Sequence, residues 1–412
     1  MASAERIKWF SELKYGMFLH YGLFTTTGRC EWVYRLDDFT VDEYAQMEKK
    51  FTPDRGIAQE WAQMAKEAGM KYMVFTTRHH DGYCLWDTQS HDYNSVKGTP
   101  GRDIVAEYVE ACREAGLGVG LYYSVADWRY KCCWDGKYEE SGKKMVRMVY
   151  DQVRELMTKY GKIDILWFDG GWRPEEMKAE ELWLDLINMA RELQPDIVIN
   201  DRTGVKCDFG TPERTIKPEK DRAWESCLTI DPVSWSNVPY SPNRKTTANV
   251  VSDLVSILCG GGNLLLNTGP TAKGWLDAGE KQTILEVGSW YKKYAEAFRS
   301  ISVSVLDDYG SPFSPCGCQA RFIGSDDPRV HYMITKCWTG SEFWVAKVGT
   351  EVESITLLPD HTPVEFHTNG RGRLILTGLP EKTPDPYAAV FKITFKEKPE
   401  MYKFPDEMRG SL

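Results

Sequence analysis

The run Ile165-Leu166-Trp167-Phe168-Asp169-Gly170 is an apolar segment that ends in a carboxylate. Upstream, residues 71–78 (KYMVFTTR) form another apolar segment, which ends in His79-His80-Asp81-Gly82. Strands that are apolar throughout belong to parallel sheets covered on both faces. Apolar runs that end in polar groups and alternate with amphipathic helices are how a (β/α)₈ barrel presents its active site.

Working outward, the same grammar holds over the first three quarters of the chain. Strands are expected at residues 14–22, 71–78, 119–124, 165–168, 197–200 and 263–267. Helices are expected at 42–50, 57–68, 103–115, 144–160, 174–193, 246–258 and 278–298. In the helix at 103–115, Val105, Tyr108, Val109 and Cys112 follow the i, i+3, i+4, i+7 spacing, and Gly116 closes it. Strands six and eight are poorly marked, so the barrel is expected to be irregular. After about residue 300 the pattern changes. Segments 330–335, 342–348, 354–358, 372–376 and 388–395 are short, β-branched and bounded by turns. The expected organisation is therefore α/β: a (β/α)₈-like TIM barrel over 1–300 and an antiparallel β-sandwich over 301–412. Residues 380–386, rich in proline, read as a loop of the second domain.

Composition narrows the function classes. A net charge of −9 argues against nucleic acid as partner, because phosphate binding needs a basic surface. No apolar run approaches the length of a membrane span. The start Met1-Ala2-Ser3-Ala4-Glu5 has no signal-peptide core. The expected location is cytoplasmic, or secreted or periplasmic if a leader has been removed. The 11 cysteines are odd in number and lack framework spacing, which favours reduced thiols. Cys316 and Cys318 read as part of a β-turn rather than a metal site.

In a barrel the strand C-termini face the active site. His20, His79, Tyr123, Asp169 and Arg202 all fall at or just past such ends. An isolated Asp at position 169 would serve equally as a helix N-cap. The other polar strand ends turn the reading towards a reacting group. His79-His80-Asp81 raises the question of a metal. Adjacent histidines on a regular strand point to opposite faces, whereas a His-x-His pair would share one. Further ligands are also hard to find, so hydroxyl recognition is the reading adopted, with no metal and no cofactor. Gly260-Gly261-Gly262 lacks the Lys-Ser/Thr of a phosphate loop and precedes a strand, so it reads as a tight turn.

These motifs, in this order, resemble the retaining α-L-fucosidases of glycoside hydrolase family twenty-nine. The resemblance rests on Tyr15-Gly16-Met17-Phe18 with His20-Tyr21-Gly22, on Glu31-Trp32, and on His79-His80-Asp81-Gly82-Tyr83 with Leu85-Trp86-Asp87. Arg102-Asp103, Gly120-Leu121-Tyr122-Tyr123-Ser124 and Asp127-Trp128 extend it. Leu166 to Gly170, Asn200-Asp201-Arg202, Trp224-Glu225 and residues 261–267 complete it. Tyr21 replaces the Trp common in the family and keeps an aromatic ring. The resemblance implies that Asp169 is the nucleophile of a covalent fucosyl-enzyme. His20, His79, His80, Tyr123, Trp167 and Arg202 would line the fucose pocket, with Glu31 and Trp32 reaching in from a loop. Tyr122 and Tyr123 are not separable, because a one-residue shift swaps their faces. The resemblance places the acid/base on a variable, turn-rich loop after strand five, where Glu213 is the first candidate, with Glu225, expected at the end of strand six, as alternative. The interval from Asp169 to Glu213 resembles that of the branch-specific fucosidases, which act on α-1,3/1,4 linkages. The expected activity is exo-cleavage of terminal L-fucose from a fucosylated oligosaccharide or glycoconjugate. Two other readings remain open: a fucose-binding protein on an inactive hydrolase scaffold, and a barrel glycosidase for another sugar.

Overall fold

The computed structural model describes residues 1–171, 177–307 and 320–403. Eight parallel strands follow one another: β1 (Tyr15–Leu19), β2 (Tyr72–Arg78), β3 (Gly118–Ser124), β4 (Ile165–Asp169), β5 (Val198–Ile199), β6 (Phe209–Gly210), β7 (Ala223–Thr229) and β8 (Asn263–Thr268). They are ordered β5-β4-β3-β2-β1-β8-β7-β6, and a parallel bridge between Asn200 and Phe209 joins the two ends. The sheet is therefore a barrel, narrowest in hydrogen bonding at the two-residue strands β5 and β6. Strand eight is well formed. Strand six is short and strand seven carries Trp224-Glu225, so Glu225 lies in β7 rather than at the end of strand six. The polar residues of Ala223–Thr229 hide that strand from a search for apolar runs.

Side chains reinforce the weak closure. Asn200 Nδ2 donates to the Phe168 carbonyl at 2.9 Å and its Oδ1 accepts from Phe168 N–H at 2.8 Å. This amide continues the β4–β5 ladder beyond β5 and fixes the backbone beside Asp169. The bottom is plugged by the helix Ala4–Glu12, whose Phe10 packs against Phe209 with ring centroids 4.3 Å apart. Phe10 and Leu13 join Tyr72, Val74, Ile165, Trp167, Val198 and Leu265 in one buried cluster. The barrel interior is thus a packed core, and any site must lie at its open end. Gly16 is needed on the inner face, since a Cβ there would fall 2.4 Å from the Tyr72 ring.

The expected helices are present with shifted ends. The segment 42–50 divides into an α-helix, Val41–Ala45, and a 3₁₀ turn, Gln46–Lys50. The helix expected at 174–193 runs over Ala179–Leu193, and its expected start lies outside the described residues. The chain divides into two compact units, 1–245 with 263–285, and 246–262 with 286–412. The second unit holds a six-stranded and a three-stranded antiparallel sheet. Met333, Phe391 and Ile393 of the first share a buried core with Phe343, Val345, Leu374 and Leu376 of the second, which makes a β-sandwich. Strands Ser302–Val303, Ala320–Gly324, Thr362–Pro363 and Glu365–Thr368 are not legible in the sequence.

The nine cysteines among the described residues are free thiols, and Cys316 and Cys318 lie outside those residues. Reduction is expected to leave the Tm of the protein within about 1 °C, whereas losing a disulfide worth about 2–4 kcal/mol would lower it by roughly 4 °C or more. Differential scanning calorimetry with and without dithiothreitol checks this, and a drop of that size would show a structural disulfide.

Candidate active site

At the C-terminal end of the barrel a cavity of about 450 Å³ is lined by His20, Glu31, Trp32, His79, His80, Tyr122, Trp128, Trp167, Asp169, Arg202, Glu213 and Trp235, among others. Parallel register decides which side chains reach it. Tyr122 pairs with Trp167 and Ser124 with Asp169, so Tyr122, Ser124, Trp167 and Asp169 share the inner face. Tyr122 Oη donates to Asp169 Oδ2 at 2.8 Å, and the Tyr122 ring stacks on Trp167 with centroids 5.7 Å apart. Tyr123 is therefore not a pocket residue. It points out of the barrel, donates to Gln152 Oε1 at 2.8 Å and lies under the Arg78 guanidinium.

Asp169 ends β4, and Gly170 turns the chain with φ +70°. A Cβ on Gly170 would sit 2.8 Å from Ser124 Oγ and 3.1 Å from His80 Nδ1, so both the dihedral and the space require glycine. Arg202 Nε and Nη2 donate to Asp169 Oδ1 at 3.2 and 3.0 Å. Burial pushes the Asp169 carboxyl up, but the Arg202 guanidinium, the Gly170 amide and the Tyr122 hydroxyl outweigh it and hold the group below its ordinary value. Asp169 is ionised at neutral pH.

The histidines have left the strand, so their adjacency does not split them between faces. His79 and His80 both line the cavity, with ring centroids 4.2 Å apart. Burial lowers the affinity of His20, His79 and His80 for protons, which leaves all three neutral at pH 7. Their tautomers follow from their partners. Asn267 Nδ2 donates to the Trp235 carbonyl at 2.8 Å, so its Oδ1 accepts from His20 Nδ1–H at 2.7 Å. Ser124 Oγ donates to the Ala126 carbonyl at 2.8 Å and so accepts from His80 Nδ1–H at 2.6 Å. His20 and His80 each keep Nε2 as an acceptor. His80 Nε2 stands 3.7 Å from Asp169 Oδ2. A hydroxyl donating to such a nitrogen is the chemistry of sugar recognition. No group of three or more His, Cys, Asp or Glu side chains in a metal-holding arrangement occurs among the described residues.

Glu31 is buried, and its Oε2 accepts from Ser234 Oγ, Trp235 N–H and Ser236 N–H at 3.0, 3.0 and 3.3 Å. It fixes Trp235 at the cavity wall. Trp32 is half-exposed at the rim, with its ring centroid 5.8 Å from His80. Trp128 and Trp235 join the site without having been assignable to it from sequence. Trp128 stands there only as part of the Asp127-Trp128 motif, and Trp235 lies in the loop after β7, the strand whose polar residues conceal it.

Glu213 and Glu225 have different surroundings. Glu213, which the sequence places on a turn-rich loop, is tied to β7. It bridges Cys227, with Arg214 N–H donating to the Cys227 carbonyl and Cys227 N–H to the Pro212 carbonyl. Its side chain is 36% exposed, and its Oε2 accepts from Arg202 Nη2 at 2.5 Å. Glu225 is fully buried inside the barrel below the cavity and accepts from Trp167 Nε1 at 2.9 Å and from Tyr72 Oη. Burial raises its carboxyl from 4.5 to about 7. Glu225 thus supports the Trp167 indole from behind and does not face the cavity. Glu225→Leu strands two buried donors and is expected to cost about 2–5 kcal/mol. Glu225→Gln keeps an oxygen for Trp167 and is expected to cost less. The sign of the pH effect follows from the raised value. The unfolded chain releases this proton first, so wild-type stability falls by up to roughly 3 kcal/mol between about pH 4.5 and 7 on this account alone. Urea unfolding at several pH values should show that component missing from Glu225→Gln, and identical pH curves would contradict the burial of an acid there.

The chain can now be set beside known proteins. The α-L-fucosidase family model matches residues 1–296. The tissue α-L-fucosidase of Homo sapiens is 30% identical over 320 residues, covering 70% of this chain and 68% of that protein. The tissue α-L-fucosidase of Bos taurus is 28% identical over 425 residues, covering 94% of this chain and 87% of that protein. The solved structure of α-L-fucosidase isoenzyme 1 from Paenibacillus thiaminolyticus superposes with a TM-score of 0.84 at 29% identity, over 95% of this chain and 99% of that one. By sequence match, barrel and sandwich together, the chain belongs to the α-L-fucosidase family of glycoside hydrolases.

Proposed function

We propose that the protein is an exo-acting, retaining α-L-fucosidase that releases terminal L-fucose from fucosylated oligosaccharides or glycoconjugates through a covalent fucosyl-enzyme. One observation carries the reading: Asp169 and Glu213 are bonded to the same nitrogen of Arg202, at 3.0 and 2.5 Å. Two carboxylate oxygens held that way cannot be farther apart than the two bonds laid end to end. That limit brings the nearest oxygens within the roughly 5–5.5 Å that separates the carboxyl groups of retaining enzymes, which supports the retaining reading.

The chemistry follows from each carboxyl's setting. Asp169, ionised and aligned by Tyr122 and Arg202, attacks the anomeric carbon as the glycosidic bond breaks. Glu213, at the more open rim, gives its proton to the departing oxygen and then takes one from the water that cleaves the fucosyl ester. The neutral His20 and His80 accept hydroxyl protons of fucose, while Trp167 and Trp235 present apolar surface to the ring and its C5 methyl. Linkage is inferred as α-1,3/1,4, which the interval between the two carboxylates in the sequence supports. Turnover of a panel of aryl glycosides and linkage-defined fucosylated oligosaccharides tests this reading. Release of fucose confined to α-L-fucosides, and fastest from α-1,3/1,4 linkages, is expected. Binding of fucose without turnover would instead favour an inactive scaffold.

A further inference from the structure

Ser124 ends β3 and is fully buried, with its hydroxyl between the His80 ring and the turn that follows the strand. Two hydrogen-bond patterns would satisfy that hydroxyl and a neutral His80. In the first, Ser124 Oγ donates to the Ala126 carbonyl and accepts from His80 Nδ1–H, which leaves Nε2 as a bare acceptor. In the second, the hydroxyl donates to His80 Nδ1 and the ring proton sits on Nε2, facing Asp169 Oδ2. That oxygen already accepts from Tyr122 Oη. A second donor would cap the attacking carboxylate and remove the nitrogen that takes a fucose hydroxyl proton. The two patterns differ by one proton on one ring, and only the first suits the reaction.

The geometry selects it. Ser124 Oγ stands 2.8 Å from the Ala126 carbonyl oxygen and 2.6 Å from His80 Nδ1. The 3.7 Å from His80 Nε2 to Asp169 Oδ2 is too long for a hydrogen bond. Arg78, fully buried at the end of β2, braces the turn from behind. Its Nη2 donates to the Ser124 and Ala126 carbonyls at 2.6 and 3.0 Å, and its Nη1 to Asp127 Oδ2 and Gln152 Oε1 at 3.1 and 3.2 Å. Arg129 holds Asp127 as well, through Nε at 3.0 Å and Nη2 at 2.6 Å. The backbone ties the same turn to both neighbours: Trp128 N–H donates to the His80 carbonyl and Val125 N–H to the Asp169 carbonyl, each at 2.8 Å. The carbonyl that receives the Ser124 proton is therefore fixed in place.

We propose that Ser124 is a positioning residue that acts through His80: set by the turn that Arg78 braces, it keeps the imidazole proton on Nδ1 and so keeps His80 off the nucleophile Asp169. The inference rests on the fucosidase reading above and adds to it what holds the His80 acceptor in the right tautomer. Removing the hydroxyl leaves Nδ1–H without its buried partner, and the ring then gains most by moving its proton to Nε2 and bonding to Asp169.

The tautomer is read from long-range proton–nitrogen NMR correlations of protein labelled with ¹⁵N at histidine, with His80 assigned by its loss in His80→Gln. At pH 7 the wild type is expected to show a protonated Nδ1 and a bare Nε2 at His80, and Ser124→Ala a protonated Nε2. Kinetics on an activated aryl α-L-fucoside give the second readout. Ser124→Ala is expected to lower kcat/KM about tenfold in the otherwise wild-type protein. In a His80→Gln background the same substitution is expected to cost less than about twofold, because no imidazole is left to misplace. General damage to the fold would cost the same in both backgrounds. A wild-type His80 protonated on Nε2, or equal losses in the two backgrounds, overturns the role of Ser124, and the wild-type spectrum decides alone if Ser124→Ala does not fold. A wild type with the expected tautomer that turns over no fucoside would instead overturn the fucosidase reading, and the catalytic consequence drawn for Ser124 with it.

Discussion

Asp169→Ala is expected to lose roughly 10⁴-fold or more in kcat on an activated aryl α-L-fucoside while keeping its fold. The loss follows from the arrangement around the carboxylate. Arg202 and Tyr122 hold both oxygens, and the strand end from which Asp169 projects is braced by the Asn200 amide. With the side chain gone, the oxygen that would bond to the anomeric carbon is missing. A small anion fits the vacated space beside Arg202. Added azide should therefore restore part of the rate and give β-L-fucosyl azide, the inverted product. Steady-state kinetics and NMR of the azide product check the outcome. Turnover near the wild-type rate would reject Asp169 as nucleophile.

Glu213→Ala should show a different signature. A general acid matters most when the leaving group is a poor one, so hydrolysis of a natural oligosaccharide should fall by roughly 10²–10⁴-fold. On a dinitrophenyl or fluoride leaving group, the fucosylation step should change by less than about tenfold. The basic limb of the pH profile, which reports ionisation of the acid, should flatten. Glu225→Ala should not give this pattern, because Glu225 faces Trp167 and Tyr72 in the core and is closed off from the cavity. Its effect should appear in stability and in KM. Leaving-group dependence on Glu225→Ala with a nearly silent Glu213→Ala would exchange the two assignments.

The sequence made the barrel legible where apolar runs end in polar groups: β1 before His20, β2 before His79, and β4 at Asp169. It concealed the barrel where closure depends on side chains. Strands β5 and β6 have two residues each, and the Asn200 amide continues the β4–β5 ladder beyond them. Strand β7 escapes because Glu225 and Ser226 interrupt its apolar character, and that omission carries Trp235 with it. Tyr122 could not be separated from Tyr123 without register. A signal was present in Gly118 and Gly120, which alternate with Val119 and Leu121 and share a face with Tyr122. Gly120 is held to glycine because a Cβ would lie 2.6 Å from the Met73 carbonyl oxygen. Small residues at every second position mark the crowded interior of a narrow barrel. The pairing of Glu213 with Arg202 was beyond reach, since it depends on the bridge from Glu213 to Cys227.

The central claim is that Asp169 forms a covalent fucosyl ester. A 2-deoxy-2-fluoro-α-L-fucosyl fluoride slows both steps but keeps a good leaving group, so the ester should accumulate. Mass spectrometry of the intact protein, followed by peptide mapping, is the direct measurement. The account predicts one added fluorofucosyl group, located on Asp169 and lost on prolonged incubation as turnover resumes. A label on Glu213 or Glu225, or efficient hydrolysis that yields the inverted sugar with no ester, would contradict it.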